Sequence, residues 1–351
     1  MPQFLTKQYE YMENNVHHPS SSDPFKKQFW NQVGLILTQV KGLKAGYEQA
    51  NSDQKYIAIP FADMLKFQYN VDAGDIEESL NPTDFSKMDA EQVALYSLIR
   101  TKCSALIKLT PDRSNLIMTH STWDSYANQL RIYKHLELNF HDDDAQFPVR
   151  QASNKISYSS SPGWITSADD FYLTSSGLMV TETTNNLYDV DHLYDHVTPN
   201  TVPYWIRNAV ANRMARSAPE WTRFFAMENS GTYNNQWMVV DTKLFSPGAQ
   251  RAHPDLFHVL EQIPGRVTAG SASDVLYTTG YWASYNIPYY RDIYNMSGYP
   301  AMAQKFGDQY TYDKCPRANI FRQQHSAVHD VESMKPVIRR NEWKSDPFSL
   351  G

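Results

Sequence analysis

Residues 100–123, RTKCSALIKLTPDRSNLIMTHSTW, contain two strand-like runs joined by a turn-like segment. The runs CSALIKLT (103–110) and LIMTHSTW (116–123) are typical of strands, and PDRSN (111–115) between them has the composition of a turn. Two such runs joined by four or five residues predict a β-hairpin. Cys103, one of only two cysteines in the chain, opens the first strand, and His120 lies near the end of the second.

The register of this hairpin would bring a thiol and an imidazole together. With the turn centred near Arg113, antiparallel pairing places Ala105 opposite His120 and Cys103 roughly opposite Thr122, with Cβ atoms about 5 Å apart. A thiol beside an imidazole is the minimal set for an activated sulfur nucleophile. A buried structural thiol near a core histidine gives the same spacing, so spacing alone leaves both interpretations open.

The rest of the chain alternates between helical and strand-like blocks. Apolar periodicity predicts helices at 24–50 (capped by Asp23), 60–70, 124–138 and 202–218. Strands are predicted at 155–159, 164–167, 170–174, 178–184 and towards the end of 232–245. This alternation predicts an α+β fold of packed layers. A length of 351 residues allows one large domain or two modest ones.

Composition and motifs exclude several classes of function. A formal net charge of −6 without a basic stripe argues against nucleic acid as a partner. No apolar run reaches the roughly 18 residues of a membrane span, and the N-terminal MPQFLTKQYEYMENNVHH lacks the apolar core of a signal peptide. No metal, P-loop, dinucleotide or GxSxG motif is present, so neither a metal nor a cofactor is expected. Asn295 begins a glycosylation sequon.

The segment upstream of Cys103 suggests a cut. DAGDIEESLNPTDFSKMDAEQ (72–92) is acidic and polar and predicts an exposed loop, within a linker of about 72–102. A cut before Cys103 would leave that residue with a free α-amine, which titrates near pH ~7.7–8.0 and can serve as base for its own thiol. N-terminal-nucleophile (Ntn) hydrolases work in this way.

The chain also resembles a known family. CSALIKLTPDRSNLIMTHSTWDSYANQLRIYK is similar to the start of the mature chain of the phospholipase B-like proteins, lysosomal and secreted Ntn hydrolases related to lamina ancestor. The likeness continues in order through SSSPGWITSADDFYLTSSGLMVTETT, VPYWIRNAVANRMA, NSGTYNNQWMVVD, LEQIPG, YWASYNIPYY, YDKCPRANIFR and DPFSL. The helix FWNQVGLILTQVKGLKAGY matches the N-terminal part of the family, whose members normally carry a signal peptide and a further segment before it.

The resemblance implies a four-layer αββα sandwich of antiparallel sheets and assigns roles to residues. Cys103 would be the nucleophile, released by self-cleavage at Lys102–Cys103, and Cys315 is not expected to be its disulfide partner. His120 would orient the amine or the leaving group, or be a core histidine that holds the hairpin. Asn286 would donate to the oxyanion. The pocket residues implied are Trp123, Thr184, Asn234, Asn235 and Arg317, with core packing, turn chemistry or an ion pair as the alternatives.

The function that follows is acyl transfer by a self-cleaving cysteine hydrolase without cofactor, acting on a lipid or an N-acylated small molecule. An amidase of the same fold and a non-catalytic relative that never matures are the alternatives. Residues 1–102 would form an N-terminal fragment that stays bound to 103–351, the mature part of the same domain. The resemblance implies a lysosomal or secreted location.

Overall fold

The computed structural model describes residues 1–349 apart from 19–21, 54, 102, 125, 141–150, 168 and 190–191. Lys102, half of the predicted cleavage bond, therefore lies outside the described residues. Among the described residues, none of the helices has both the length and the apolar character that a membrane span needs.

Helices occupy both ends of the chain and the middle. Their bounds are α1 Pro2–His17, α2 Pro24–Ala50, α3 Phe61–Gln68, α4 Asp72–Leu80, α5 Ala90–Arg100, α6 Tyr204–Met214, α7 Ala218–Ala226, α8 Ser273–Thr279, α9 Arg291–Met296, α10 Tyr299–Phe306, α11 Pro316–Gln324 and α12 Val331–Ile338. The predicted cap of α2 is confirmed, because the Asp23 side chain accepts a hydrogen bond from the backbone N–H of Phe25 at 3.0 Å.

The strands form two antiparallel sheets. They are β1 Ser104–Leu109, β2 Leu116–Ser121, β3 Ile132–Glu137, β4 Lys155–Ser160, β5 Phe171–Thr174, β6 Leu178–Thr184, β7 Asn235–Asp241, β8 Phe257–Ile263, β9 Arg266–Ser271 and β10 Tyr281–Ser284. The smaller sheet has the order β10-β1-β2, and the larger sheet runs from β3 to β9 in sequence order. The predicted hairpin is β1 and β2.

The core shows four layers. Ala105 and Ile107 of β1 pack with Met238 and Val240 of β7, so the two sheets face one another. Leu106, on the other face of β1, packs with residues of α10, α11 and α12. The far face of the larger sheet packs against α1, α2, α3, α6 and α7. The order is therefore helix, sheet, sheet, helix, and the predicted α+β αββα fold is confirmed.

The predicted exposed loop at 72–92 is wrong for residues 72–80, whereas residues 81–89 are mostly exposed and irregular apart from a 3-10 turn at Phe85–Lys87. Residues 72–80 form α4, and α5 begins at Ala90. Three of the four acidic side chains of α4 are bound rather than solvated: Asp72 accepts from the backbone N–H of Tyr204, and Asp75 and Glu78 pair with Arg100. Partners that are distant in sequence therefore hold the polar segment of α4 against the rest of the protein.

Two further predictions of secondary structure are wrong. The helix predicted at 124–138 is a short 3-10 turn followed by β3, because β4 offers a pairing partner over residues 132–137 that local periodicity does not reveal. The strand predicted at 164–167 is a turn. The side chain of Gln68 binds the backbone N–H of Ile165, and Ser160 binds the carbonyl of Thr166, so side chains replace strand partners there.

Candidate active site

The hairpin places Cys103 and His120 as predicted. In the β1–β2 pairing, Ala105 lies opposite His120 and Ser104 lies opposite Ser121. Cys103 directly precedes β1, so its side chain reaches the end of the hairpin where β2 finishes. Both cysteines, Cys103 and Cys315, are described and buried, and neither forms a disulfide.

The Cys103 thiol lies in a buried polar cluster. Its Sγ is 4.0 Å from Oε1 of Glu182, near the end of β6. One donor atom each from Cys103, His120 and Glu182 lie within 4.8 Å of one another. Cys103 is fully buried and has a φ of 82°, in the left-handed region that non-glycine residues rarely adopt. Such strain costs about 1–3 kcal/mol and is concentrated at functional sites.

Glu182 belongs to a network that extends away from the thiol. The Tyr233 hydroxyl lies 3.1 Å from Oε1 of Glu182 and 2.7 Å from Oδ2 of Asp170. Burial raises the pKa of Tyr233 well above its ordinary value, so the phenol keeps its hydrogen. A phenol has one hydrogen to donate, so the Tyr233 hydroxyl either shares it between the two carboxyl groups or donates it to one of them. Two carboxyl groups and a phenol therefore lie together behind the thiol.

His120 is held as a neutral imidazole. Burial lowers its pKa to about 4, and the nearby carboxylate of Asp169 offsets this only in part. The ring nitrogen Nδ1 lies 3.0 Å from the hydroxyl of Thr122, which fixes the orientation of the ring. The position of His120 on β2 and its contact with Thr122 therefore hold the ring towards the cluster.

Arg317 and Trp123 hold the backbone on either side of the nucleophile. Nη1 of Arg317 donates to the carbonyl of Cys103 and to the hydroxyl of Ser104, both at 3.0 Å. Its guanidinium lies 5.3 Å from the centre of the Trp123 ring, and Trp123 donates from Nε1 to the carbonyl of Thr101 at 3.0 Å. Among the described residues Arg317 has no carboxylate partner, so the ion-pair alternative is not supported.

The predicted asparagines and Thr184 gather where β6 and β10 end and β7 begins. Asn286, with a φ of 69°, donates from Nδ2 to the carbonyl of Thr184 at 2.6 Å. Asn235 lies opposite Thr184 in the sheet and is fully buried. The side chain of Asn234 donates to the carbonyl of Gly231, which is the turn role given as its alternative. Thr184 and Asn286 therefore lie together, while Asn234 stabilises the turn before β7.

Two of the cavities that adjoin these residues bear on the candidate site. A cleft of 440 Å³ lies between β2 and strands β5 and β6; His120 forms part of its wall, and the end of α12 borders it. A second cavity of 260 Å³ is lined by Asn286 and Arg317 and is bordered by Ser97 and Thr101, which precede the nucleophile in sequence. The two cavities thus lie beside different members of the same group of candidate residues.

Comparison with known proteins assigns the family. The family model described as Phospholipase B matches residues 1–351. The chain is 40% identical over 350 residues to "Putative phospholipase B-like 2" of Bos taurus and 39% identical over 351 residues to "Phospholipase B-like 1" of Rattus norvegicus, covering 99% of this chain in each case. The chain belongs to the phospholipase B family. It spans 57% and 60% of the length of these two relatives.

Two solved structures of conjugated bile acid hydrolase from Clostridium perfringens also match. One covers 58% of this chain and 57% of that chain at 13% identity with a TM-score of 0.31. The other covers 67% of this chain and 78% of that chain at 12% identity with a TM-score of 0.35. At these scores we base no argument on the likeness.

Sequence reasoning missed Glu182, Tyr233 and Asp170. One signal was available. Glu182 is the only charged residue in the strand LMVTETT, and a carboxylate buried in a strand costs free energy unless it has a hydrogen-bond or charged partner. Asp170 and Tyr233 lie in turn-like segments with positive φ, 44° and 50°, which no sequence pattern indicated. The sequence could not show that these three side chains meet.

Proposed function

We propose that the chain is a self-cleaving cysteine hydrolase of the Ntn type, which transfers the acyl group of a lipid ester first to its thiol and then to water. The observation that carries the proposal is the buried Cys103 thiol, at a strained φ of 82°, with an imidazole and a carboxylate within 4.8 Å. Membership of the phospholipase B family supports the substrate class.

Self-cleavage needs a base other than the α-amine, because that amine does not exist before the cut. Glu182 is suited to this step, since its Oε1 accepts a hydrogen bond from Sγ at 4.0 Å. The thiol proton passes to Glu182 while sulfur attacks the carbonyl carbon of residue 102. Glu182 then gives this proton to the amide nitrogen of Cys103 as the bond between that nitrogen and the carbonyl carbon breaks, which frees the α-amine and leaves a thioester. Water hydrolyses the thioester, which frees the carboxylate of residue 102 and the thiol.

The strain at Cys103 favours this reaction. The torsion φ is defined by the carbonyl carbon of the preceding residue, so it ceases to exist when the peptide bond is cut. The roughly 1–3 kcal/mol stored in such a conformation is then released and not regained. Arg317 keeps the carbonyl of Cys103 in place during the change.

In turnover the new α-amine would be the base. It titrates near pH ~7.7–8.0, and it can take the thiol proton as sulfur attacks the acyl carbonyl. Asn286 would donate an amide hydrogen to the oxyanion, an interaction worth roughly 3 kcal/mol elsewhere. The leaving group takes the proton, and water then releases the acyl group from the thioester.

The 440 Å³ cleft supports an acyl chain as the substrate group. Met118, Phe171 and Leu173 give it an apolar lining, and His120 connects it with the nucleophile. Lys335 and Arg339 of the α12 end border the same cleft. Cations at the border of an apolar cleft complement a lipid with an anionic head group. Amides of fatty acids remain the second candidate, because a thiol with an amine base also suits amide bonds.

The deciding experiment is the intact mass of the purified protein under denaturing conditions. We expect a fragment that begins at Cys103, absent in Cys103→Ala and present in Cys315→Ala, which removes the other buried cysteine. A single uncut 40.5 kDa species in the parent would contradict the proposal and favour a lipid-binding relative without catalysis.

Substrate class is tested next, on cleaved protein. Release of fatty acid from a lysophospholipid and from an N-acyl amide of equal chain length is compared in the parent and in Leu173→Trp, which fills the cleft. We expect ester hydrolysis to exceed amide hydrolysis and Leu173→Trp to impair long chains more than short ones. Equal impairment of all chain lengths would place the acyl chain elsewhere.

Two parts of the proposal concern the whole molecule. Residues 1–102 would stay bound after cleavage, because α2 contributes Phe29, Trp30 and Val33 to the same core as α6 and α7. Co-elution of both fragments on native gel filtration tests this.

Lysosomal or secreted residence and glycosylation at Asn295 rest on the resemblance. Asn295 is exposed on α9, and a mass loss on enzymatic deglycosylation would demonstrate the glycan.

A further inference from the structure

The cluster of Cys103, His120 and Glu182 has the composition of a metal site. We propose that these three side chains bind a soft divalent cation, zinc above all, and that the bound ion inhibits the protein by occupying its nucleophile. The metal binding stands on the geometry alone. Its inhibitory consequence rests on the proposed function.

The donor atoms suit zinc in kind and in place. Thiolate sulfur, imidazole nitrogen and carboxylate oxygen are the ligands that zinc takes in proteins. The three donors lie within 4.8 Å of one another, and sulfur and oxygen are 4.0 Å apart. Ligands about 2.0–2.3 Å from a tetrahedral ion stand roughly 3.5 Å apart. Side-chain rotations that draw the donors together by about 1 Å would therefore complete three of the four positions.

His120 is prepared for this role by its surroundings. Its Nδ1 is bonded to Thr122, which is how outer-shell partners orient metal-binding histidines. Its Nε2 is buried and makes no hydrogen bond to any residue that the structure describes. The 440 Å³ cleft, whose wall includes His120, lies next to the cluster, so an ion in the cleft is separated from it by this one side chain.

Binding would block chemistry rather than assist it. As the sulfur–metal bond forms, the S–H bond breaks and its proton leaves to solvent, with no change in oxidation state. The metal then holds both the sulfur that must attack and the carboxylate that must accept a proton. After cleavage the α-amine of Cys103 would add a fourth donor, forming a five-membered chelate ring with the thiolate. The cut form should therefore bind the ion more tightly than the uncut form.

Cobalt provides a direct readout, because a cobalt–thiolate bond absorbs in the near ultraviolet. Co²⁺ is titrated into the purified full chain, whose cut or uncut state is read from its denaturing mass, and Zn²⁺ is then added. We expect a charge-transfer band that Zn²⁺ abolishes by displacement. The band should be absent in Cys103→Ala, unchanged in Cys315→Ala, and at least tenfold weaker in apparent affinity in Glu182→Gln.

The controls keep the inference falsifiable. Circular dichroism verifies that each variant is folded, and if Cys103→Ala fails to fold, His120→Gln takes its place with the same expected loss. A band that survives in these variants, or no band in the parent, would overturn the metal site. Saturating Zn²⁺ should also slow release of the Cys103 fragment at least tenfold, reversibly with EDTA. A band without any self-cleavage refutes the proposed function alone, whereas zinc-insensitive cleavage without a band refutes the metal site alone.

Discussion

A buried carboxylate, Asp72, should make the stability of the protein depend on pH. This residue of α4 is fully buried, accepts hydrogen bonds from the backbone N–H of Tyr204 and the hydroxyl of Thr232, and lies near Arg207. Burial raises its pKa from 3.8 to about 7, more than Arg207 and the hydrogen bonds lower it, and the neighbouring Asp75 adds to the rise. The perturbation is Asp72→Asn, which removes the charge and keeps the shape.

The magnitude follows from the two pKa values. A rise of about 3 units corresponds to ~4 kcal/mol between the two protonation states. Because the folded pKa lies above the unfolded one, the folded chain binds the proton more tightly. Its contribution to the free energy of unfolding is complete below about pH 4 and is lost as the pH rises through 7. Between about pH 5 and about pH 7.5 the expected loss from this single group is ~2.5 kcal/mol.

Urea unfolding at these two pH values measures the loss. The Cys103→Ala background excludes the proposed self-cleavage, and Asp63→Asn, at an exposed aspartate of α3, serves as control. Asp72→Asn buries an amide where Oδ2 has no described partner, which costs about 1–3 kcal/mol at both pH values and cancels in the difference. The remaining slope should come from Asp75, whose pKa burial raises to about 6 despite Arg100, and from Glu261, whose pKa burial raises to about 7. If Asp72→Asn loses as much stability as its parent, the reasoning is refuted.

Three further outcomes are expected. Gly298→Ala should destabilise the chain far more than Gly248→Ala. Both glycines have a positive φ, but only at Gly298 would a new Cβ lie 2.5 Å from the backbone of Asp189. Equal thermal midpoints of the two variants would contradict this. Trp30→Ala should cost about 3–5 kcal/mol in urea unfolding, because the side chain is buried in the main core, and a loss below 1 would argue against that packing. Glu182→Gln should slow self-cleavage roughly 10²–10⁴-fold by intact mass; cleavage at the parent rate would exclude it as the base.

Local patterns predicted well wherever neighbours in sequence are neighbours in space. The β1–β2 register followed from the short turn, because a turn of that length pairs Ala105 with His120. The buried face of α2 followed from apolar spacing, since Phe29, Trp30 and Val33 all lie in the core. The thiol–imidazole half of the site was therefore visible in the sequence, because a hairpin positions it.

Features that depend on distant partners were not visible. Residues 72–80 are helical because Arg100 and the chain around Tyr204 bind their carboxylates, and β3 exists because β4 pairs with it. Glu182 reaches Cys103 from a strand 79 positions later in the sequence. Periodicity reports which face of an element is apolar, but not which charged groups a fold will bring against it.

The sharing of one core by residues on both sides of Cys103 has a consequence for the lifetime of the protein. Helix α2 lies before this residue, α6 and α7 lie after it, and all three contribute to the same cluster of buried side chains. Once the chain is cut, unfolding would release two polypeptides that must find each other again at low concentration. The lifetime of the folded protein would then be set by the rate of unfolding, a kinetic barrier, rather than by a reversible equilibrium between the folded and unfolded states.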